Sequence, residues 1–150
     1  MKPDPGFEKA YEDALAALAR RDYFENELRA KLGARGHSGL SINLVIDRLN
    51  MRKLLSDRKT IQTLCERYSG KRAIGPLKLK AELERRGAPE NLVEESLSVF
   101  EGEYELNAAL EAAKGRAFKS RAQLARFLAS RGFTDSCIES VMERLFGEID

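Results

Sequence analysis

The sequence predicts an all-α protein of three tandem three-helix repeats that form an elongated, curved rod. The first observation is a segment that recurs three times as leucine, three residues, leucine, two residues, arginine and glycine. It reads ELRAKLGARG at 27–36, KLKAELERRG at 78–87 and QLARFLASRG at 123–132. The second observation is a helical apolar pattern on both sides of each segment. The third is that no stretch shows the sustained apolar–polar alternation of a β-strand.

The recurring segment is predicted to be the second helix of each repeat. Its two leucines are four residues apart and therefore lie on one face of a helix. The pairs are Leu28/Leu32, Leu79/Leu83 and Leu124/Leu128. Pro76 and Ser120 are residue types that begin helices, and they open the second and third copies. The glycine follows the last turn, where a left-handed backbone is common, so we expect positive φ at Gly87 and Gly132.

A third helix is predicted after each glycine. Offsets of 6, 9, 10 and 13 residues from the glycine carry apolar side chains, and only Ser96 breaks the pattern. This spacing forms one stripe of an α-helix. The stripe consists of Ile42, Val45, Ile46 and Leu49, then Val93, Ser96, Leu97 and Phe100, then Ile138, Val141, Met142 and Leu145. Ser38 or Ser41, Pro89 and Thr134 predict where these helices begin.

The first helix of each repeat is predicted from a weaker pattern. The patterns cover 7–20, 57–68 and 103–113, with the apolar pairs Leu15/Leu18, Ile61/Leu64 and Leu106/Leu110. The predicted repeats are 1–52, 53–102 and 103–150. Units this small bury little surface alone, so we expect neighbouring repeats to share their core. The side of such a stack suits a long or repeating partner better than a small molecule.

Charge is arranged in blocks, although the formal net charge is only +2. Residues 67–86 contain seven basic and two acidic side chains, and 114–131 contain six basic and none acidic. Residues 88–113 contain seven glutamates and no base, and 132–150 contain five acids against one arginine. These blocks predict alternating basic and acidic surfaces.

Composition and motifs argue against several functional classes. The apolar runs are too short to cross a bilayer, and the first residues lack the apolar core of a signal peptide. Cys65 and Cys137 form no CxxC or Cys/His cluster and are interpreted as small, partly buried side chains. We therefore expect a cytoplasmic protein in a reducing compartment that does not bind a membrane.

Catalytic and cofactor-binding signals are missing as well. The sequence has no nucleotide-binding loop, nucleophile elbow, dinucleotide fingerprint or metal-ligand spacing. His37 is the only histidine and is interpreted as a surface turn residue. Glu94 and Glu95 are adjacent and so point to different sides of a helix. We expect no enzymatic activity, no cofactor and no metal.

Basic side chains on and near the second helices are the candidate binding residues. On a helical wheel, Lys78 and Lys80 lie roughly 100° on either side of Leu79, and Arg126 lies nearly opposite Leu124. The candidate residues for binding a macromolecular partner are Arg29, Lys31, Lys71, Arg72, Lys78, Lys80, Arg85, Lys119, Arg121 and Arg126. The alternative interpretation, a merely solvated charged face, stays open.

The arginine before each glycine is interpreted mainly as structural. Arg35, Arg86 and Arg131 lie seven residues after the first leucine of their segment and return to its apolar side. We expect their guanidinium groups to lie along the core edge, to meet the carbonyls of the helix end, and to pair with an acid on the next helix.

Four segments resemble the RecX regulators of the RecA recombinase. They are ALAALARRDYFENELRAKL at 14–32, LLSD at 54–57, GPLKLKAELERRG at 75–87 and LARFLASRGFTDSCIESVMERL at 124–145. Their order and spacing are more specific than any one of them. The chain departs from the family pattern at Phe24, where a serine cap is common, at Ser56, where an acid is usual, and at Thr60, where an aromatic is usual.

The resemblance implies a non-enzymatic modulator that binds RecA filaments on single-stranded DNA. Members lie along the filament groove and mostly inhibit recombinase, ATPase and coprotease activity in DNA repair and recombination. We expect a monomer that acts on this repeating partner, although the sequence does not fix the oligomeric state. The alternative is a general nucleic-acid-binding module whose cations grip phosphates directly. A sequence-specific repressor fits poorly, because the third helix of the second repeat carries three glutamates and no base.

Overall fold

The computed structural model describes residues 5–147, which form nine α-helices and no strand within that range. The helices are α1 (Pro5–Arg20), α2 (Glu25–Ala34), α3 (Gly39–Met51), α4 (Asp57–Arg67), α5 (Pro76–Arg85), α6 (Glu90–Leu97), α7 (Tyr104–Ala113), α8 (Arg121–Ser130) and α9 (Asp135–Phe146). Short 3-10 helices lie at Gly70–Arg72 and Ser98–Phe100. The predicted all-α class with three-helix repeats is confirmed. Within the described residues, no helix is both long and apolar enough to cross a bilayer.

Two compact units divide the chain. One contains the described residues up to Gln62 together with Arg85–Pro89, and the other contains Thr63–Glu84 and the described residues from Glu90 onward. The division passes through α4 and through the end of α5. The repeat boundaries expected from the sequence stay predictions, and their first four and last three residues lie outside the described range.

In the first unit, α1, α2 and α3 pack around one apolar core. Ala10 and Ala14 carry the buried face of α1 and are completely inaccessible to solvent. Leu15 is 39% exposed, whereas Leu18 is partly buried against the core, so only one leucine of the predicted pair contributes to it. Small side chains at a helix contact allow the two helix axes to approach closely.

In the second unit, α7, α8 and α9 enclose a core of their own. Ile138 and Val141 of α9 are buried as predicted, whereas Leu145 is 51% exposed, so its predicted place in the core is wrong. Leu145 lies in the last turn of α9, and the core side chains of this helix end at Met142.

The leucines of all three second helices are buried, as their spacing predicts. Each of Leu28, Leu32, Leu79, Leu83, Leu124 and Leu128 is at most 3% exposed. Gly87 has φ of +81° and Gly132 has φ of +85°, which confirms the left-handed turn after the helix.

Helix starts agree closely with the sequence signals. Ser38, Ser120 and Thr134 each precede a helix, and each side-chain oxygen accepts the backbone N–H three residues later. Pro76 is the first residue of α5. Pro89 precedes α6, which begins one residue later than predicted, at Glu90.

Candidate partner-binding surface and the repeat junctions

In the first unit, the turn after α5 packs against the start of α2. Arg86 Nη2 donates to the backbone oxygen of Asp22 at 3.0 Å. Two further bonds join Arg86 to the Glu27 carboxylate, from Nη2 to Oε1 at 3.0 Å and from Nε to Oε2 at 3.1 Å. Gly87 O accepts a hydrogen bond from Asn26 Nδ2 at 2.9 Å. Arg86 and Gly87 therefore join the second repeat to the first.

Glu27 is the charged centre of this junction. Its side chain is 16% exposed, and its Oε1 also accepts the backbone N–H of Phe24 at 2.9 Å. Arg21 Nη2 lies 3.5 Å from Oε2. Burial raises the pKa of the Glu27 carboxyl, but the hydrogen bonds from Arg86 and from the Phe24 N–H outweigh burial, so that the pKa lies below its ordinary value.

Replacing Glu27 by glutamine should lower the free energy of unfolding by about 1.5–3 kcal/mol at pH 7, the usual worth of hydrogen bonds to a charged group. Because the folded-state pKa of Glu27 is depressed, its stabilisation is present above the unfolded-state pKa of about 4.3 and is lost as pH falls through the folded value. Urea unfolding at a series of pH values should show parent and Glu27→Gln converging under acid. A constant gap would contradict the assignment.

The second unit contains a junction of the same form, between the turn after α8 and the start of α5. Arg131 Nη1 donates to the backbone oxygens of Lys71 at 3.0 Å and Ala73 at 3.2 Å. Gly132 O accepts the backbone N–H of Leu77 at 3.0 Å. The third repeat is thus joined to the second by the same two residue types.

The two junctions are equivalent position by position. Asp22 and Ala73, whose carbonyls bind the arginine, each lie fourteen residues before the glycine of their own repeat. Asn26 and Leu77, which donate to the glycine carbonyl, each lie ten residues before it. In the first junction a side-chain amide takes the place that a backbone N–H has in the second.

The structural interpretation of the Arg-Gly arginines is therefore confirmed, with one correction. Arg86 pairs with Glu27 on α2 of the preceding repeat, and not with an acid on the following helix. Arg35 pairs with Asp13 on α1 at 3.4 Å and is 57% exposed. Among the described residues, Arg131 has no carboxylate within 4.0 Å.

Two candidate cations of the first unit are engaged within the protein. Arg29 Nε lies 3.2 Å from Glu25 Oε2, and its Nη1 donates to Asn43 Oδ1 at 2.7 Å. Lys31 Nζ donates to the Tyr23 hydroxyl at 3.1 Å. The sequence pattern does not show these polar partners.

Arg121 is engaged as well, in the second unit. Its Nη2 donates to the backbone oxygens of Phe146 and Gly147, both at 3.4 Å, and its guanidinium carbon lies 5.2 Å from the centre of the Phe146 ring. This cation therefore binds carbonyls at the C-terminal end of α9, where a positive charge stabilises the helix. Arg85 is exposed at the end of α5.

Six candidate cations are exposed and have no ion pair among the described residues. They are Lys71, Arg72, Lys78, Lys80, Lys119 and Arg126. All six belong to the second unit. The exposed candidate cations without an ion pair are therefore concentrated in the second unit.

The structure brings two of these cations to the second junction. Arg131 binds the backbone of Lys71, and a Cβ added at Gly132 would overlap the backbone nitrogen and Cβ of Lys78. The sequence interpretation did not select Arg116, whose guanidinium carbon lies 4.3 Å from the centre of the Phe127 ring. That of Arg131 lies 4.8 Å from the same ring.

One signal in the sequence identifies Arg116. It lies sixteen residues before the glycine of its repeat, as Lys71 does in the second repeat and Arg20 in the first.

The histidine and the two cysteines, which are the residue types most often used as nucleophiles or metal ligands, lie in the following environments. His37 Nε2 lies 2.6 Å from Asp13 Oδ2 and its side chain is 13% exposed, so it is not the surface residue expected from the sequence. Cys65 is exposed and Cys137 is buried, rather than both being partly buried. Burial, with Glu105 nearby, raises the pKa of the Cys137 thiol to about 12. The described residues contain no group of three or more metal-ligating side chains.

Comparison with known proteins places the chain in a family. Residues 10–49 match the family model described as RecX, first three-helix domain. The chain is 39% identical over 128 residues to Regulatory protein RecX of Chromohalobacter salexigens, covering 81% of this chain and 83% of that protein. It is 30% identical over 147 residues to Regulatory protein RecX of Chlorobium phaeobacteroides, covering 95% and 97%.

A solved structure agrees with the fold. The crystal structure of RecX from Lactobacillus salivarius superimposes with a TM-score of 0.79 at 18% sequence identity, covering 94% of this chain and 97% of that one. This similarity supports the fold alone, whereas the sequence relatives, which are named regulatory proteins, establish the relationship. The chain belongs to the RecX family of regulatory proteins.

Proposed function

We propose that this protein is a non-enzymatic, cytoplasmic regulator that binds RecA filaments on single-stranded DNA and inhibits recombinase, ATPase and coprotease activity. The observation that carries the proposal is the unpaired basic surface of the second unit in a chain of the RecX family. Helical repeats present such surfaces to extended partners. A filament offers the same acidic surface many times along its groove.

Several weak contacts have to act together in this proposal. An exposed ion pair contributes only about 0.2–1 kcal/mol, which is far too little for specific binding. Contacts made by one folded chain add up, because each contact raises the effective concentration of the next. The six unpaired cations supply such a set, and the filament supplies repeated acceptors.

Charge reversal of Lys78, Lys80 and Arg85 to glutamate should weaken inhibition of the DNA-dependent ATPase of RecA. All three side chains are exposed on α5, so the fold should remain intact. We expect half-inhibition at a protein concentration on the order of tenfold higher, since attraction is replaced by repulsion at three positions. The effect on association rate should shrink at high salt, where charges more than about 10 Å apart are screened.

The matched control is Glu94 and Glu95 changed to lysine on α6, where both side chains are exposed. This variant changes charge on the acidic helix and should not weaken inhibition. If the triple reversal folds normally and inhibits as well as the parent, the basic face of α5 is only solvated and the partner binds elsewhere.

The alternative function, direct binding of nucleic acid, rests on the same cations. It predicts an affinity for bare single-stranded DNA that falls steeply with salt. The binding constant should fall by about 0.7 logarithmic units per phosphate contact for each tenfold rise in salt concentration. Co-sedimentation with RecA-coated and with bare single-stranded DNA separates the two functions. A filament regulator should bind the coated DNA much more tightly at the same salt concentration.

A further inference from the structure

The two repeat junctions have the same geometry but differ in charge, because the arginine is neutralised in the first and not in the second. Glu27 lies nine residues before the glycine of the first repeat, and Lys78 lies nine residues before the glycine of the second. In the first junction Glu27 therefore neutralises Arg86, with two hydrogen bonds of 3.0 and 3.1 Å. In the second junction a cation stands at the position of that carboxylate, and no acid of the described chain pairs with Arg131.

Three other basic residues contact Arg131, its glycine or the ring on which it stacks. Lys71 offers its backbone oxygen to Arg131, Lys78 packs against Gly132, and Arg116 stacks on the same phenylalanine ring as Arg131. Among the described residues, none of these four cations has a carboxylate within 4.0 Å. We call Lys71, Lys78, Arg116 and Arg131 the cationic junction. An anion bound among these residues would be attracted by all four cations.

The Nε–Nη2 edge of the Arg131 guanidinium is available, whereas in the first junction the same edge of Arg86 binds a carboxylate. Arg86 grips the Glu27 carboxylate with Nε and Nη2. Arg131 Nη1 donates to the backbone carbonyls of Lys71 and Ala73. Its Nε and Nη2 have no acceptor among the described residues. An Nε–Nη2 edge presents two parallel donors, which match the two oxygens of a carboxylate.

We propose that the cationic junction binds a carboxylate of an acidic protein segment, which pairs with Arg131 as Glu27 pairs with Arg86. Lys71, Lys78 and Arg116 would hold further acids of the same segment. This inference deepens the proposed function, because it places one contact of an acidic protein partner at a named arginine. The carboxylate is favoured over a phosphate because the equivalent position in the first junction holds a carboxylate in this very geometry.

The test compares the parent with Lys78→Glu and Arg144→Glu for binding of a labelled oligoglutamate peptide, measured by fluorescence anisotropy. Lys78→Glu places a carboxylate beside Arg131, at the position that Glu27 occupies in the first repeat. We expect the peptide to bind at least about tenfold more weakly to this variant. Arg144→Glu makes the same charge change at an exposed residue of α9 and should bind within about twofold of the parent. Thermal melts should show both variants folded.

Each outcome decides the proposal. Equal affinity of the parent and Lys78→Glu, or no measurable binding by the parent, overturns it. Equal weakening by both reversals means that only net charge matters and also overturns it. If Lys78→Glu loses binding of a labelled oligothymidylate but keeps the peptide, the site takes phosphates and the carboxylate assignment is wrong.

A second arm separates this inference from the proposed function. The same three proteins are sedimented with RecA-coated single-stranded DNA. If the parent binds the peptide through Lys78 but does not bind the filament, the carboxylate site is supported and the proposed function is wrong. If Lys78→Glu binds the filament as tightly as the parent does, the cationic junction is not part of the filament contact.

Discussion

Gly132→Ala should destabilise the protein by at least about 3 kcal/mol, whereas Gly36→Ala should cost only about 1–2 kcal/mol. Both glycines have positive φ, +85° at Gly132 and +90° at Gly36, where a side chain is strained by roughly 1–2 kcal/mol. Their surroundings differ. A Cβ at Gly132 would overlap the backbone of Lys78, whereas a Cβ at Gly36 meets no atom within 4 Å. Overpacking against backbone adds roughly 1–3 kcal/mol.

Urea unfolding of the two variants measures this difference directly. The pair is matched, because both glycines follow a second helix and both precede a third helix. The backbone penalty is therefore common to both, and the excess at Gly132 reports the close approach of α5 and α8. Equal losses of stability in the two variants would show that the second junction is looser than described.

Leu83→Ala and Leu128→Ala should each lower the free energy of unfolding by roughly 2–5 kcal/mol. Both side chains are completely buried, and truncating a buried leucine loses its transfer free energy and leaves a cavity. Leu77→Ala is the matched control on α5, because Leu77 is 58% exposed. It should change stability by less than about 1 kcal/mol.

Denaturant midpoints and slopes of the three leucine variants decide this prediction. The slopes should stay close to that of the parent, because the surface exposed on unfolding hardly changes. Losses below about 1 kcal/mol at Leu83 and Leu128 would mean that the second helices do not carry the core.

The sequence predicts the second and third helices well because their signals are local. Leucines four residues apart, a glycine after the last turn and a serine or threonine before the next helix all act within a few residues. Core contacts made by small side chains leave no such signal. Ala10, Ala14 and Ala17 are the buried residues of α1, but alanine is common both on helix surfaces and in cores, so the apolar pattern favours the neighbouring leucines.

The candidate site was predictable only in part, because the partners of a cation come from distant residues. The bond between Arg86 and Glu27 spans 59 residues of sequence, and that between Arg131 and Ala73 spans 58. A helical wheel gives the direction of a side chain but not what faces it. Sequence position alone therefore groups Arg121, which binds the end of α9, with exposed cations such as Lys78.

The repeat junction has a consequence for how such chains grow in evolution. The Arg-Gly turn and the acceptor carbonyl fourteen residues before its glycine are both encoded within every repeat, so a repeat carries both halves of its joint. An in-frame duplication of one repeat would thus create a new junction whose polar contacts are already encoded. The glycines are 51 and 45 residues apart, so the coding sequence would lengthen in steps of that size. A substitution at the position nine residues before the glycine would then set the charge of each new joint independently.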